Sequence, residues 1–185
     1  QPDALHLLAI IYAQTKQYSR ANDYFVRAIA ATPQRADFLG NYANALWEQG
    51  SIDDAVEYCQ KSLALNSSQA DVHNTLGNAY LAQNRLEAAI ACFRSALHYR
   101  PHYPHALNNL GNALQRMNQT EEAIICYTKA LQLQENYPEA CNNLGQALKT
   151  LGQIEEARNC FLKAIALRPN FTQAIANHLE VASIW

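Results

Sequence analysis

Residues 104–137 read PHALNNLGNALQRMNQTEEAIICYTKALQLQENY, and one unit of this kind recurs along the whole chain. A shift of 34 residues carries Leu110-Gly111 onto Leu144-Gly145 in one direction and onto Leu76-Gly77 in the other. The same shift carries Ala123 onto Ala157 and Ala89, and Ala130 onto Ala164 and Ala96. A fixed period of this size marks a solenoid, in which each unit buries its apolar face only against its neighbours. The repeats run 2–35, 36–69, 70–103, 104–137 and 138–171, and a partial sixth covers 172–185.

With each repeat numbered 1 to 34, small residues recur at three places. Position 8 holds Ala9, Ala43, Gly77, Gly111 and Gly145; position 20 is always Ala; position 27 is Ala except at Ser62. Two helix backbones must approach closely there. Larger residues fill positions 7, 11 and 24, the last occupied by Phe25, Cys59, Phe93, Tyr127 and Phe161. Spacings of 3, 4 and 7 place such residues on one face of a helix. Pro2, Pro104 and Pro138 open repeats, where a missing N–H costs nothing. Gly50, Asn84, Asn118 and Gly152 stand at position 15, where a chain leaving a helix turns left-handed; Lys16 is the exception. The acidic residues Asp53, Asp54, Glu87, Glu121, Glu122, Glu155 and Glu156 follow, matching the positive end of a second helix. Each repeat is thus expected to form helix A over positions 1–14 and helix B over positions 18–31.

These residues resemble the tetratricopeptide repeat, with its small residue at 8, Ala at 20 and 27, and Pro at 32. The resemblance spans residues 2–171 fully and 172–185 in part. It implies an all-α fold, a right-handed superhelical solenoid of helix-turn-helix repeats, forming a single domain over 1–185. In that family the A helices line a concave groove that binds a peptide or protein segment.

On this basis, positions 2, 5, 6, 9, 12 and 13 of the A helices are expected to face the groove, free of the core. Position 6 reads Leu7, Asn41, Thr75, Asn109, Asn143, Asn177. Position 9 reads Ile10, Asn44, Asn78, Asn112, Gln146, Glu180, and position 5 adds Asn74, Asn108 and Asn142. A row of amides offers donors and acceptors to the backbone of an extended peptide. The alternative is that these amides bridge neighbouring A helices. Trp47, Arg116 and Lys149 complete the candidate groove residues. The aromatic is either an exposed anchor or packed on a neighbouring helix. The acids Asp3, Asp37 and Asp71 make the N-terminal half look acidic, which could orient a partner.

The amide ladder also resembles the groove of the tetratricopeptide superhelix in O-linked N-acetylglucosamine transferases, where asparagines hold the substrate backbone. Asn41, Asn109, Asn143 and Asn177 match it; Leu7 and Thr75 depart. The chain would then be the substrate-recognition arm of a larger transferase. A dicarboxylate clamp for acidic C-terminal tails needs Lys at position 5, and none is present.

Fourteen Lys and Arg against sixteen Asp and Glu give a formal charge of -2, with no basic stripe. Nucleic acid and anionic membranes are therefore not expected partners. No apolar run approaches the ~20 residues of a membrane span. Five cysteines form no CxxC pair, and three of them share one repeat position, which suits small apolar packing residues in a reducing, cytoplasmic compartment. No Ser-His-Asp order, phosphate loop or paired-carboxylate cleft is present, so neither catalysis nor a metal or other cofactor is expected. His73 and His178 take apolar positions and are expected to be satisfied packing residues.

The sixth repeat supplies only helix A. Its apolar residues imply that Ile184 and Trp185 fold back on Phe161 and Leu162, or that the natural polypeptide continues, with two copies pairing as a homodimer through the uncapped helix. The leading expectation is a protein–protein interaction scaffold that binds an extended peptide. An oligomerisation module acting through its ends or convex face is the alternative.

Overall fold

The computed structural model describes residues 1–183. Eleven α-helices, and no strand among the described residues, run in sequence: α1 (Pro2–Gln14), α2 (Tyr18–Ala31), α3 (Ala36–Gln49), α4 (Ile52–Leu65), α5 (Ala70–Ala82), α6 (Leu86–Tyr99), α7 (Pro104–Arg116), α8 (Thr120–Leu133), α9 (Pro138–Thr150), α10 (Ile154–Leu167) and α11 (Thr172–Ala182). Odd-numbered helices are the A helices and even-numbered ones the B helices. Ile184 and Trp185, and hence their expected contact with Phe161 and Leu162, lie outside the described residues.

Helices of 11 to 14 residues are marginal in isolation. None carries a side-chain N-cap bond. Packing between helices therefore has to hold them. The tight A–B turn forms the same way in every repeat. Gly50 and Gly152 take φ of 90° and 76°, and Asn84 and Asn118 take 59° and 60°. Lys16, the one residue at this position that is neither Gly nor Asn, is left-handed as well, with φ of 58°. The turn is imposed by the closing bonds on either side, such as Gln17 N–H to the Tyr12 carbonyl at 2.8 Å, whatever residue stands there.

Position 8 is small because the aromatic at position 24 of the same repeat lies against its backbone. A Cβ on Gly77, Gly111 or Gly145 would come within 2.5–2.6 Å of the ring of Phe93, Tyr127 or Phe161. Repeat 2 solves the same contact with a larger residue against a smaller one, Ala43 and Cys59, both fully buried. Ser62, the one departure from Ala at position 27, is also fully buried. Its hydroxyl donates to the Ala36 carbonyl at 2.7 Å and accepts from Gln69 Nε2 at 2.8 Å. The polar side chain is thereby satisfied in the core.

The chain forms two compact units, Gln1–Pro101 and His102–Trp185. In the first, α1, α3 and α5 touch one another in succession, and α2 and α4 each pack against the two A helices that flank them in sequence. In the second, α7, α9 and α11 do the same. A cluster of Ala9, Ala13, Phe25, Tyr42, Leu46 and Ala55 forms the first core. Phe161, Ala157 and Val181 close the far end of the second. The outermost helices lack a neighbour on one side, so Leu8 of α1 is 40% exposed where Tyr42, Leu76 and Leu110 at the same position are buried. No described helix is long and apolar enough to cross a membrane.

Candidate functional site

The A helices carry every residue expected in the groove, and the structure sorts them into three groups. The first is buried. Position 5 was expected to be free of the core, but Asn74, Asn108 and Asn142 are all buried, Asn142 to 1% exposure. In the C-terminal unit the physical reason is that A helices contact each other directly, so Asn108 and Asn142 face the next A helix rather than solvent.

The second group bridges neighbouring A helices. In the C-terminal unit, Asn143 Nδ2 donates to Asn108 Oδ1 and to Asn112 Oδ1, each at 3.0 Å. Asn177 Nδ2 donates to Asn142 Oδ1 at 2.8 Å. The rule is that position 6 donates to position 5, and in one case to position 9, of the preceding A helix. Tyr127 at position 24 joins this network, its hydroxyl donating to Asn112 Oδ1 at 2.7 Å and Gln115 Oε1 at 3.0 Å. Burial holds the Tyr127 hydroxyl well above its usual range, so it remains a donor.

The N-terminal unit follows the same rule with other side chains. Asn41 Nδ2 lies 3.0 Å from Nε2 of His6, which occupies position 5 and acts as the acceptor. Gly40, the next position 5, has no side chain, and a Cβ there would sit 2.7 Å from Val72. Thr75 therefore donates instead to Asn44 Oδ1, at 3.3 Å. Sequence alone treated Thr75 as a departure from the ladder and passed over His6. A search for any hydrogen-bonding side chain at positions 5, 6 and 9, in place of amides alone, would have found both.

The third group remains accessible. Asn41, Asn44 and Arg116 are exposed, and Asn78, Asn109, Asn112, Asn143 and Gln146 are half-buried. Lys149 is tied to Glu180 at 2.8 Å. Trp47 is half-buried and packs against the first core cluster. The expected acidic bias of the N-terminal half is largely cancelled by pairing. Arg35 holds Asp3 and Asp37, and Arg100 holds Asp71 through two bonds of 2.7 and 2.8 Å. The Arg35 guanidinium keeps the Asp37 carboxyl below its ordinary range. On the C-terminal unit Arg168 pairs with Glu139 in the same way.

Between α1 and α3 the surface opens into a recess of about 220 Å³, lined by Ile10, Ala13, Gln14, Phe25, Asn41, Asn44, Ala45 and Glu48. Glu48, Gln14 and Phe25 stand beside the amides expected there. His6 underlies this region. It is stacked on Phe38 at 3.9 Å and meets Phe25 edge-on at 5.6 Å. Burial holds its pKa below 6.5, assisted by Arg35 and opposed by Asp37 and Asp3. Its Nδ1 is buried without a partner, as is that of His178, which was expected to be fully satisfied.

Burial pushes Cys59 up to about 12 and Cys92 and Cys160 up to about 11, so none of these three is a thiolate at neutral pH.

Comparison with known proteins agrees with this geometry. Four profiles described as TPR repeat or tetratricopeptide repeat match residues 6–70, 46–95, 77–118 and 103–170. No match is found among curated proteins. Among solved structures, the chain is similar to one described as a functional characterisation of Pseudomonas aeruginosa pilF. The two share 22% identity and a TM-score of 0.89, over 99% of this chain and 83% of that one. It is similar to YrrB, described as a TPR protein with an unusual peptide-binding site, at 26% identity and a TM-score of 0.72, covering 86% of this chain and 82% of that one. A thermophilic TPR protein of Thermus thermophilus gives a TM-score of 0.78 at 20% identity, over 99% and 100% of the two chains. The all-α superhelical repeat architecture is common to these structures. Repeat period, left-handed A–B turns, ring-on-glycine packing and four profile matches converge: the chain belongs to the tetratricopeptide repeat family.

Proposed function

We propose that the chain is a non-catalytic interaction scaffold that binds an extended segment of a partner protein along the exposed face of its A helices. One observation carries this: a recess of about 220 Å³ opens between α1 and α3, floored by apolar side chains and rimmed by amides and a carboxylate. Ligand sites combine these two features, apolar surface for affinity and a few placed polar groups for orientation. The amides that bridge α7, α9 and α11 act first as structural links. They hold the half-exposed Asn112 and Asn143 side by side on one surface. The peptide-binding site named for YrrB is consistent with this use of the fold.

The test is selection of displayed random peptides on the immobilised chain, repeated with an Asn41→Ala/Asn44→Ala variant whose helicity is checked by circular dichroism. Selected peptides that lose at least tenfold in affinity on the variant support the proposal. Peptides that bind both forms equally reject it.

A second use, self-association through the ends, is favoured by Leu179. It stands at position 8, where every complete repeat has Ala or Gly, and it is 63% exposed. Sedimentation of the natural chain against Leu179→Glu distinguishes this use. A dimer that persists in the variant argues against it.

A further inference from the structure

We propose that the recess between α1 and α3 is a subsite for one basic side chain, lysine or arginine, of the extended polypeptide; this rests on the peptide-binding function proposed above. The volume, about 220 Å³, falls short of the roughly 300–1,000 Å³ of small-molecule sites and suits a single side chain. Its lining is divided. Ile10, Ala13, Phe25 and Ala45 are apolar, and Gln14, Asn41, Asn44 and Glu48 are polar.

The polar side chains are not neutral in their demands. The amide nitrogen of Asn41 is engaged by His6 at 3.0 Å, and that of Asn44 donates to Glu48 Oε1 at 3.1 Å. Each amide nitrogen has thus committed one of its two N–H groups inside the protein, and the oxygens retain capacity. Asn44 Oδ1 takes one bond from Thr75 at 3.3 Å and has a second lone pair. With the Glu48 carboxylate beside them, the rim presents acceptors. The carboxylate is the only charged group in the lining, so it favours an occupant with a cationic N–H group and repels an anionic one.

Glu48 also differs from the other acids on these A helices. Asp3, Asp37 and Asp71 are matched to Arg35 or Arg100, whereas among the described residues the Glu48 carboxylate meets only the neutral amide of Asn44. Its charge is left for a cation. Lysine and arginine satisfy both halves of the lining: the methylene stem lies on the apolar floor while the charged head reaches the carboxylate. The subsite is local to this step of the array. Position 13 reads Gln14, Glu48, Ala82, Arg116 and Thr150, and position 9 is apolar only at Ile10.

The experiment starts from peptides selected on the full chain, synthesised with a fluorescein label and measured by fluorescence anisotropy. The expected result is a lysine or arginine at a shared place in the bound peptides. Replacing it with norleucine or acetyl-lysine weakens binding about tenfold or more to the natural chain and has little effect on binding to Glu48→Gln. If selected peptides depend on Asn41 and Asn44 but carry no basic residue, the basic subsite is wrong while groove binding stands. The same conclusion follows if the norleucine exchange costs as much on Glu48→Gln as on the natural chain. If no peptide is selected, or if bound peptides ignore both the asparagine and the Glu48 variants, both proposals fall.

Discussion

Lys16 holds a left-handed backbone, φ 58°, at a place where the other repeats use Gly or Asn. A side-chain-bearing residue in that region costs roughly 1–2 kcal/mol, and glycine gives back about 0.5–1 kcal/mol through its greater freedom when unfolded. Lys16→Gly is expected to stabilise the chain by up to about 1.5 kcal/mol, seen as a higher urea midpoint with an unchanged slope; a lower midpoint refutes it. His6 gives a second residue-scale prediction. Its folded pKa lies below 6.5, so the unfolded chain takes up a proton first as the pH falls. Stability is therefore lost as the pH drops below about 6.5 toward the lower folded value. His6→Asn places at position 5 the residue that repeats 3, 4 and 5 use there, and cannot titrate. Urea melts at pH 7.5 and 5.5 should show a smaller loss for the variant; equal losses would show that His6 does not contribute. The turn was legible in sequence from Gly50, Asn84, Asn118 and Gly152. Lys16 was not, because composition reports what a backbone prefers and the closing hydrogen bonds decide what it adopts.

At the scale of the helix, the asparagines first join one A helix to the next. Asn142 is almost completely buried and accepts from Asn177, linking α9 to α11. Asn142→Leu leaves a buried amide without its acceptor, a cost of about 1–3 kcal/mol. Adding Asn177→Leu should recover part of that cost, and the double-mutant cycle in guanidinium reads the coupling. Strict additivity would show that the bond does not link the two helices. The pattern of asparagines at positions 5, 6 and 9 was plain in the sequence, but its division of labour was not. Periodicity places positions 5, 6 and 9 on one side of the helix. Only the direct contact of α7 with α9, and of α9 with α11, turns position 5 inward.

Over the molecule as a whole, cohesion in each unit comes from neighbours, so the outermost helices are held on one side only. Leu8 on α1 and Leu179 on α11 are exposed accordingly. Hydrogen exchange followed by mass spectrometry should find α1 and α11 exchanging faster than α3 and α9. Equal protection would mean that something covers the ends in solution.

By itself the sequence determined the repeat, its length, the alternation of helices and the places that must stay small, because each depends on local spacing and on residue volume; that an aromatic ring lies against position 8 came from the structure. It also marked the asparagine face. The tertiary structure decided which amides are spent and which remain. It paired the acids of position 2 with Arg35, Arg100 and Arg168, packed Trp47 on the core, and opened the recess that joins Ile10 and Phe25 to Glu48. Those outcomes depend on side chains about 30 residues apart meeting across a helix–helix step, and that distance is set by packing.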